Sequence, residues 1–192
     1  MSLREMVVFN ALYSRRSIRN FKENKKIEGY KIHKLLKAAM AAPSACNIQP
    51  WDFIIIDDAQ LVSQIKNSIE NYGNYNAPMI IVITGNNRNI PWKDNGIIDC
   101  ALAMQNMMIV APTLGLGTVC IGGFNRKAVK EILGIPEGVE PIGMLYIGYP
   151  NERKKRRTKY LEAAVHYNTY DAIRDQNPRP GDVIAFGPEA SV

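Results

Sequence analysis

The sequence predicts an α+β fold built on a central, mainly antiparallel or mixed sheet that is surrounded by helices. Helical segments come first, and strands and helices follow without the regular βαβ alternation of a doubly wound parallel sheet. Residues 97–111 form a helix that is apolar nearly all round, which is typical of the middle of a fold or of a subunit interface. Because no repeat or Gly/Ser-rich linker divides the chain, we expect one domain over residues 1–165.

The first half of the chain is expected to contain three helices and two strands. A helix over residues 5–13 precedes a basic segment, and a second over 30–42 has apolar residues at helical spacing and ends at Pro43. The run Trp51–Ile56 is short, apolar and rich in β-branched residues, which predicts a buried strand. The other elements of this half are an amphipathic helix over 61–70 and a strand over 79–84.

The second half begins with the apolar helix over 97–111. Asp94 is placed to cap this helix, because an acidic side chain is favoured at the positive end of the helix dipole. Gly115 and Gly117 end the helix, and Asn125 is placed to cap the next one. The remaining elements are a strand over 118–121, a helix ending at 133 and a last core strand over 139–149. A tail follows over 166–192, and it is either disordered or extended over another surface, such as a second subunit.

The charge of the chain is concentrated in two places. The 192 residues carry 24 Lys and Arg against 18 Asp and Glu, a net charge of +6. The first basic segment (residues 15–26) and the second basic segment (152–159) each hold six basic side chains and one acid, so each carries +5 and the rest of the chain −4. The protein is therefore a slightly acidic globule with two cationic segments, which argues against a surface for nucleic acid or membranes.

Several other classes of protein are disfavoured by composition. The most apolar stretch, 97–121, is interrupted by Asp99, Asn106 and Pro112, so we read it as a buried helix leading into a strand and not as a membrane span. Three widely spaced cysteines suit free thiols in a reducing cytoplasm. With two histidines and no CxxC pair, no metal site is expected. The expected location is the cytoplasm.

The first basic segment contains a compact set of hydrogen-bond donors. Guanidinium groups at Arg15, Arg16 and Arg19, together with the hydroxyl of Ser17, suit a phosphate or another oxyanion. If this motif is considered alone, the alternative to an oxyanion site is a solvated loop. The second basic segment taken alone is a charged surface run or a nucleic-acid patch, although it nearly lacks the aromatic residues on which bases stack.

The loop that joins the second helix to the first strand combines rigidity with neutral polar groups. Pro43 and Pro50 restrict its backbone. Ser44, Asn47 and Gln49 supply donors and acceptors that suit the polar edge of a flat heterocycle. The alternative is an ordinary helix-to-strand connection, and the loop alone does not distinguish the two.

A glycine-rich stretch surrounds the predicted strand 118–121. Its GxG lacks the third glycine of a dinucleotide fingerprint, and it follows a helix and enters a strand, which is the reverse of a Rossmann turn. We therefore reject that motif. Gly122 and Gly123 instead indicate a backbone that must approach something closely and that offers N–H groups.

Taken together and in order, four strings of the chain resemble the nitroreductase family of FMN-dependent oxidoreductases. They are R-R-S-I-R-N-F, A-P-S-A-C-N-I-Q-P-W, G-L-G-T-V-C-I-G-G-F, and I-G-Y-P followed by K-K-R-R-T-K-Y. The resemblance covers nearly the whole chain, and it implies an α+β homodimer with two FMN sites at the subunit interface. It also implies that hydride passes from NADH or NADPH through flavin N5 to a small acceptor, such as a nitroaromatic compound or a quinone, in alternating half-reactions.

The resemblance also implies which residues hold FMN. The two basic segments would hold the phosphate, the helix-to-strand loop would come from the partner chain, and the glycine pair would pass over the ring near N5. Arg19 would place a positive charge near N1 and O2 of the ring. The implied cofactor-binding residues are Arg15, Arg16, Ser17, Arg19, Pro43, Ser44, Asn47, Gln49, Gly122, Gly123, Lys155 and Arg157.

Chemistry carried by a cofactor accounts for the lack of a Ser-His-Asp set, metal ligands or paired carboxylates in the sequence. A nucleophilic Cys46 assisted by His166 is an alternative, but nothing in the sequence places these residues together. A flavin-binding protein without turnover and a basic nucleic-acid-binding module are the alternative functions. Gly122 stands where many members of the family carry an acidic residue, which weakens the expectation of efficient nitro reduction.

Overall fold

The computed structural model describes residues 2–69, 75–86, 93–155 and 165–170. The chain divides into two units, Met1–Arg156 and Arg157–Val192. In the second unit, the rings of His166 and Tyr170 stack with their centroids 4.4 Å apart. The boundary at residue 165 and the partner-packed tail stay predictions, because residues 171–192 lie outside the described part of the chain.

The described part of the first unit contains five α-helices and one four-stranded sheet. The helices are α1 (Leu3–Ser14), α2 (Gly29–Met40), α3 (Ala59–Asn67), α4 (Lys93–Val110) and α5 (Arg126–Leu133). The strands are β1 (Trp51–Ile56), β2 (Met79–Asn86), β3 (Gly117–Ile121) and β4 (Val139–Gly148). The strand order is β1-β2-β4-β3 and every pair is antiparallel, which confirms the predicted α+β class with an antiparallel sheet.

The sheet separates two hydrophobic cores. Because side chains alternate across a strand, Ile80 and Val82 of β2 pack with residues of α3 and α5, whereas Ile81 and Ile83 pack with residues of α2 and α4 on the other face. β2 is buried over nearly its whole length, as expected for a central strand covered on both faces. The first unit therefore has a helix–sheet–helix arrangement, and β1 and β3 form the two edges of the sheet.

Four local predictions were wrong in detail. Asp94 lies inside α4 and not before it, because the helix already begins at Lys93. Asp52 and Ile55 are exposed, so β1 is a half-exposed edge strand and not a buried one. Gly117 does not end a helix but begins β3, while Gly115 adopts the left-handed conformation (φ 73°) after a 3₁₀ turn. The helix predicted over 61–70 ends at Asn67, and residue 70 lies outside the described residues.

A large apolar surface remains exposed on this single chain. α1 buries none of its residues, although it carries six large aliphatic or aromatic side chains besides Tyr13 that are more than 40% exposed. α4 adds Ile97 and Ile98, which are 51% and 57% exposed. The stretch Gly96–Leu114 is long and apolar enough to cross a bilayer by length and composition alone. Its other face, however, contributes Cys100, Met107 and further side chains to the core beside the sheet.

Candidate functional site

The first basic segment lies along the outer edge of β3. Ser17 forms an isolated parallel bridge with Thr118, and the Ile18 amide donates to the Thr118 carbonyl at 2.9 Å. Farther along, the Lys22 amide donates to the Tyr149 carbonyl at 2.8 Å, directly after β4. The first basic segment therefore runs from the edge of the sheet to the turn that precedes the second basic segment.

Two glycines allow this close approach. A methyl group at Gly117 would lie 2.8 Å from Cβ of Ile18, and one at Gly148 would lie 2.7 Å from Cδ1 of Phe21. Real Cβ atoms essentially never come that close to other atoms. The absence of a side chain at these two positions thus lets Ile18 and Phe21 pack flat against β3 and β4.

The two basic segments are in direct contact. Nε of Arg16 donates to the carbonyl of Lys154 at 3.2 Å, and NH1 of Arg16 donates to the carbonyls of Tyr13 and Arg15, each at 2.6 Å. The carboxylate of Glu152 accepts hydrogen bonds from backbone amides in the first segment. The side chains that the resemblance assigns to one phosphate therefore extend from two stretches of backbone that are bonded to each other.

We call the place where the two basic segments meet, residues 15–20 and 151–155, the basic junction. Its basic side chains differ in the hydrogen bonds that they make. Arg16 is bonded to three carbonyls, and Arg19 donates to the hydroxyl of Tyr75 at 3.1 Å and to the carbonyl of Ser17 at 3.5 Å. Among the described residues, the side chains of Arg15, Ser17 and Lys155 have no hydrogen bond or ion pair. These three donors are free to bind an anion. Arg157 lies outside the described residues.

Glu152 has a pKa below its usual value of 4.5. Burial alone would raise it, but the amides of Arg19 and Asn20 and the ammonium group of Lys154 favour the ionised form and together outweigh burial. The stability that this carboxylate contributes is therefore present above pH 4.5 and is lost as the pH falls through its lower pKa in the folded state.

We expect Glu152→Gln to lower the free energy of unfolding at pH 7, and we expect this difference from the wild type to shrink on acidification. Urea unfolding of both proteins between pH 7 and pH 3 measures it. A difference that stays constant below pH 4.5 would show that the ionised carboxylate has no role in stability.

The helix-to-strand loop is held by a buried acid of α4. Asp99 is 5% exposed, and both of its carboxylate oxygens lie 3.2 Å from the Ala45 amide. Within the loop, the Gln49 amide donates to Oγ of Ser44 at 3.0 Å and the Gln49 side chain donates to Oδ1 of Asn47 at 2.9 Å. Of the four predicted loop residues, Pro43, Asn47 and Gln49 are exposed and Ser44 is partly buried.

The backbone of this loop is strained. Cys46, Asn47 and Gln49 have φ angles of 50°, 55° and 51°, in the left-handed region that side-chain-bearing residues other than Asn and Asp rarely adopt. Conformations of this kind cost about 1–3 kcal/mol each and persist where the surroundings enforce them. The bond from Ala45 to Asp99 is one of the contacts that enforce this conformation.

We expect Asp99→Ala to destabilise the fold by about 1.5–3 kcal/mol, because it removes a hydrogen bond from a backbone amide to a charged group. Asp99→Asn should retain most of the stability, since the amide oxygen still accepts from Ala45. Urea unfolding of the two variants tests the difference. Equal stability of Asp99→Ala and the wild type would show that Asp99 does not hold the loop.

The helix-to-strand loop and the basic junction lie at opposite edges of the sheet within one chain. The loop leads into β1, whereas residues 17 and 18 line β3, and these strands are the opposite edges of the sheet. Three strand spacings separate them, which is about 14 Å. Gly122 and Gly123 follow β3 directly, on the same edge as the first basic segment, and Gly122 lies about 13 Å along that edge from Thr118.

Gly122 and Gly123 border open space. A methyl group built on either of them would meet no atom within 4 Å, and both residues are exposed. Their predicted close approach to a bound group therefore stays a prediction, since no described part of this chain approaches them. The exposed backbone of Gly122 and Gly123 follows β3, the same edge strand that pairs with Ser17.

The buried thiol of Cys100 is not in a reactive state. Burial, with the nearby charges of Asp99 and Asp52, raises the pKa of Cys100 to about 12, so this thiol stays protonated. Among the described residues, no group of three or more His, Cys, Asp or Glu side chains is placed to hold a metal ion. The alternative that pairs Cys46 with His166 stays untested, because the two belong to separate units.

The sequence profile of the Nitroreductase family matches residues 12–71 and 65–149, which together span most of the first unit. The chain belongs to the nitroreductase family. The match includes the first basic segment, the strained loop and all four strands. It confirms the family inferred from the four sequence strings, and it identifies the protein as a member of a family of enzymes.

Known nitroreductases support this assignment along most of the chain. A provisionally named NADH dehydrogenase/NAD(P)H nitroreductase of Archaeoglobus fulgidus is 35% identical over 74% of this chain and 85% of its own length. An FMN reductase (NADPH) of Bacillus subtilis is 27% identical over 85% of this chain and 74% of its own. The solved structure of an FMN-dependent nitroreductase from Clostridium difficile superposes with a TM-score of 0.77 at 30% identity, covering 84% of this chain and 99% of that one.

Sequence reasoning missed the residues that support the site. Asp99, an isolated acid in an apolar helix, and Glu152, the one acid of a basic segment, both stood out by charge but were not assigned a role. Gly117 was interpreted as a helix terminator, and Gly148 was not singled out. Nothing in the local sequence shows that Ile18 and Phe21 pack against these two glycines, because the contacts join distant parts of the chain.

Proposed function

We propose that the protein is an FMN-dependent oxidoreductase that uses NADH or NADPH to reduce a small acceptor, such as a nitroaromatic compound or a quinone. Relatives named as an FMN reductase (NADPH) and an FMN-dependent nitroreductase support the cofactor. The observation that carries the proposal in this chain is the group of free donors, Arg15, Ser17 and Lys155, on two segments that are bonded to each other. Such donors suit the phosphate of a mononucleotide.

The described residues fit FMN at one edge of the sheet. Arg15, Ser17 and Lys155 would hold the phosphate, while Arg16 fixes the backbone that carries them. Arg157, which the resemblance also assigns to the phosphate, lies outside the described residues. Arg19, held by Tyr75, would keep its positive charge near the pyrimidine side of the ring. The open backbone of Gly122 and Gly123, which begins about 13 Å along β3 from Thr118, leaves room for a flat ring at the far end of an elongated ligand.

When bound, FMN supplies hydride transfer through N5 between the nicotinamide and the acceptor, in two alternating half-reactions. The protein supplies the anion-binding group, the positive charge of Arg19 and an open glycine backbone that does not obstruct one face of the site. We further propose a cytoplasmic location, which the three free cysteines suit.

A homodimer would complete this site. The strained loop with Pro43, Ser44, Asn47 and Gln49 lies at the sheet edge opposite to the basic junction, so within one chain the two flank different edge strands. A second subunit would bring its own loop to the site. The exposed apolar surface of α1 and α4 gives such a subunit a place to dock, since apolar patches of this kind mark interfaces.

The cofactor is tested by colour and titration. Purified protein is expected to be yellow, to contain one FMN per chain and to lose its flavin absorbance when NADH or NADPH is added without oxygen. Protein that is colourless and does not bind added FMN would overturn the proposal. Stoichiometric FMN without oxidation of either nucleotide would favour a flavin-binding protein without turnover. Binding to DNA or RNA that falls steeply with salt would favour the nucleic-acid alternative.

A screen of acceptors against the reduced enzyme identifies the substrate.

The dimer is tested on the exposed face of α4. We expect Ile98→Glu to yield monomers by light scattering and to retain less FMN, because a charge is buried in the proposed interface. Leu61→Glu is the matched control: Leu61 is also exposed but lies on α3, on the other side of the sheet. A dimeric Ile98→Glu with full FMN content would contradict this interface.

A further inference from the structure

Glu152 is the one acid in the second basic segment, and its carboxylate lies at the contact between the two segments. Oε1 accepts from the backbone amide of Arg19 at 2.5 Å and from that of Asn20 at 3.1 Å. The ammonium group of its neighbour Lys154 lies 3.3 Å from the same oxygen. The Glu152 side chain is 23% exposed, whereas Arg19 and Asn20 are exposed residues. Because the acceptor is ionised, these hydrogen bonds are charge-assisted and stronger than neutral ones.

Two further hydrogen bonds join the two segments beside those of Glu152. The Asn151 amide donates to the carbonyl of Asn20 at 2.9 Å, and Nε of Arg16 donates to the carbonyl of Lys154 at 3.2 Å. Glu152 therefore stands in the middle of a series of contacts that sets how residues 15–20 lie against residues 151–155. Its charge also lowers the net charge of the second segment from +6 to +5, which reduces the repulsion between the two segments.

We propose that Glu152 is a positioning residue that fixes the first basic segment against the second, so that Arg15, Ser17 and Lys155 face one phosphate together. A carboxylate beside an anion site would ordinarily weaken anion binding. Here its negative charge is engaged by two backbone amides and by Lys154, so it orders the donors while its charge is largely neutralised locally. The identity of the anion rests on the proposed function, whereas the role of Glu152 in joining the segments does not.

The joining role is tested on FMN-free protein by hydrogen–deuterium exchange at the amides of Arg19 and Asn20. We expect Glu152→Ala to speed exchange at both amides about tenfold or more, which corresponds to the loss of about 1.4 kcal/mol per amide. Glu23→Gln is the matched control, because Glu23 is the one acid of the first basic segment and is exposed. Unchanged exchange in Glu152→Ala would overturn the proposal.

The effect on the site is tested by titrating FMN into the same proteins and following flavin fluorescence. We expect the dissociation constant of Glu152→Ala to rise about tenfold and that of Glu23→Gln to stay within twofold of the wild type. Glu152→Gln keeps an oxygen that accepts from both amides, so it should rescue part of the affinity, and it serves as the second variant if Glu152→Ala does not fold.

Two further outcomes separate this proposal from the proposed function. FMN binding by Glu152→Ala that equals or exceeds the wild type would mean that the carboxylate opposes the phosphate and does not order its ligands, which overturns the positioning role. If the wild type itself binds no FMN, the proposed function fails, and the exchange rates at Arg19 and Asn20 still decide whether Glu152 joins the two segments.

Discussion

Gly148→Ala is expected to lower the free energy of unfolding by about 1–3 kcal/mol, the usual cost of overpacking a well-packed core. The added methyl group would lie 2.7 Å from Cδ1 of Phe21 and 2.8 Å from Cδ of Pro78. Neither ring can give way easily. Pro78 is covalently rigid, and the backbone of Phe21 is fixed on both sides by Asn76, whose side chain accepts from the Phe21 amide at 2.9 Å and donates to its carbonyl at 3.0 Å.

The displacement should also reach the cofactor site. Phe21 is fully buried and anchors the end of the segment that carries Arg15 and Ser17, so a shift of Phe21 moves these donors relative to Lys155. We therefore expect Gly148→Ala to retain less FMN as well as to melt earlier. For a chain of this length, each kcal/mol corresponds to about 2–4 °C in melting temperature.

Thermal melting of FMN-free protein and FMN titration check the two effects separately. Gly29→Ala is the matched control, because a methyl group at Gly29 would meet no atom within 4 Å. Gly29→Ala should melt within about 2 °C of the wild type. Equal melting temperatures for Gly148→Ala and Gly29→Ala would show that Phe21 and β4 are not packed as described.

Arg15→Ala is expected to weaken FMN binding by about 1.5–3 kcal/mol, because it removes the charge-assisted contact to the phosphate that we propose for Arg15. That loss corresponds to about a 10–150-fold rise in the dissociation constant. The melting temperature of the FMN-free protein should not change, since the Arg15 guanidinium has no hydrogen bond or ion pair within the described residues. Arg157→Ala should weaken FMN binding similarly.

Arg16→Ala is the informative comparison. Its guanidinium donates to the carbonyls of Tyr13, Arg15 and Lys154, so its loss should lower both the melting temperature and the affinity for FMN. Lys26→Ala removes one exposed positive charge from the same basic segment and should alter FMN binding little. Full FMN affinity in Arg15→Ala, or a loss as large in Lys26→Ala, would contradict the assignment of Arg15 to the phosphate.

Most of the fold could be predicted from the sequence, because each element carries a local signal. The bounds of β1 were predicted to the residue, and Asn125 caps α5 as expected, its side chain accepting from the Ala128 amide. The errors have a physical cause. β1 is apolar enough to be a buried strand, but its place at the edge of the sheet depends on which strands pair, and no local pattern encodes that.

The candidate site could be predicted only in part. The types and spacing of residues in the basic segments indicated an anion site, and this chemistry is visible in the sequence. The sequence does not show that Arg15 is free while Arg16 supports the backbone. The Arg16 guanidinium bonds three carbonyls, and one of them, that of Lys154, lies far away in the chain. The roles of Asp99 and Glu152 depend in the same way on backbone amides that lie far away in the chain.

The junction between the two basic segments also has a consequence for synthesis of the protein. The hydrogen bonds that complete it join residues 133 and 138 positions apart, near the two ends of the first unit. Contacts of such long range are the last that a chain can form as it leaves the ribosome. On a nascent chain the proposed anion site would therefore not assemble until Lys154 has emerged, so FMN would be captured only after residue 154 has left the ribosome.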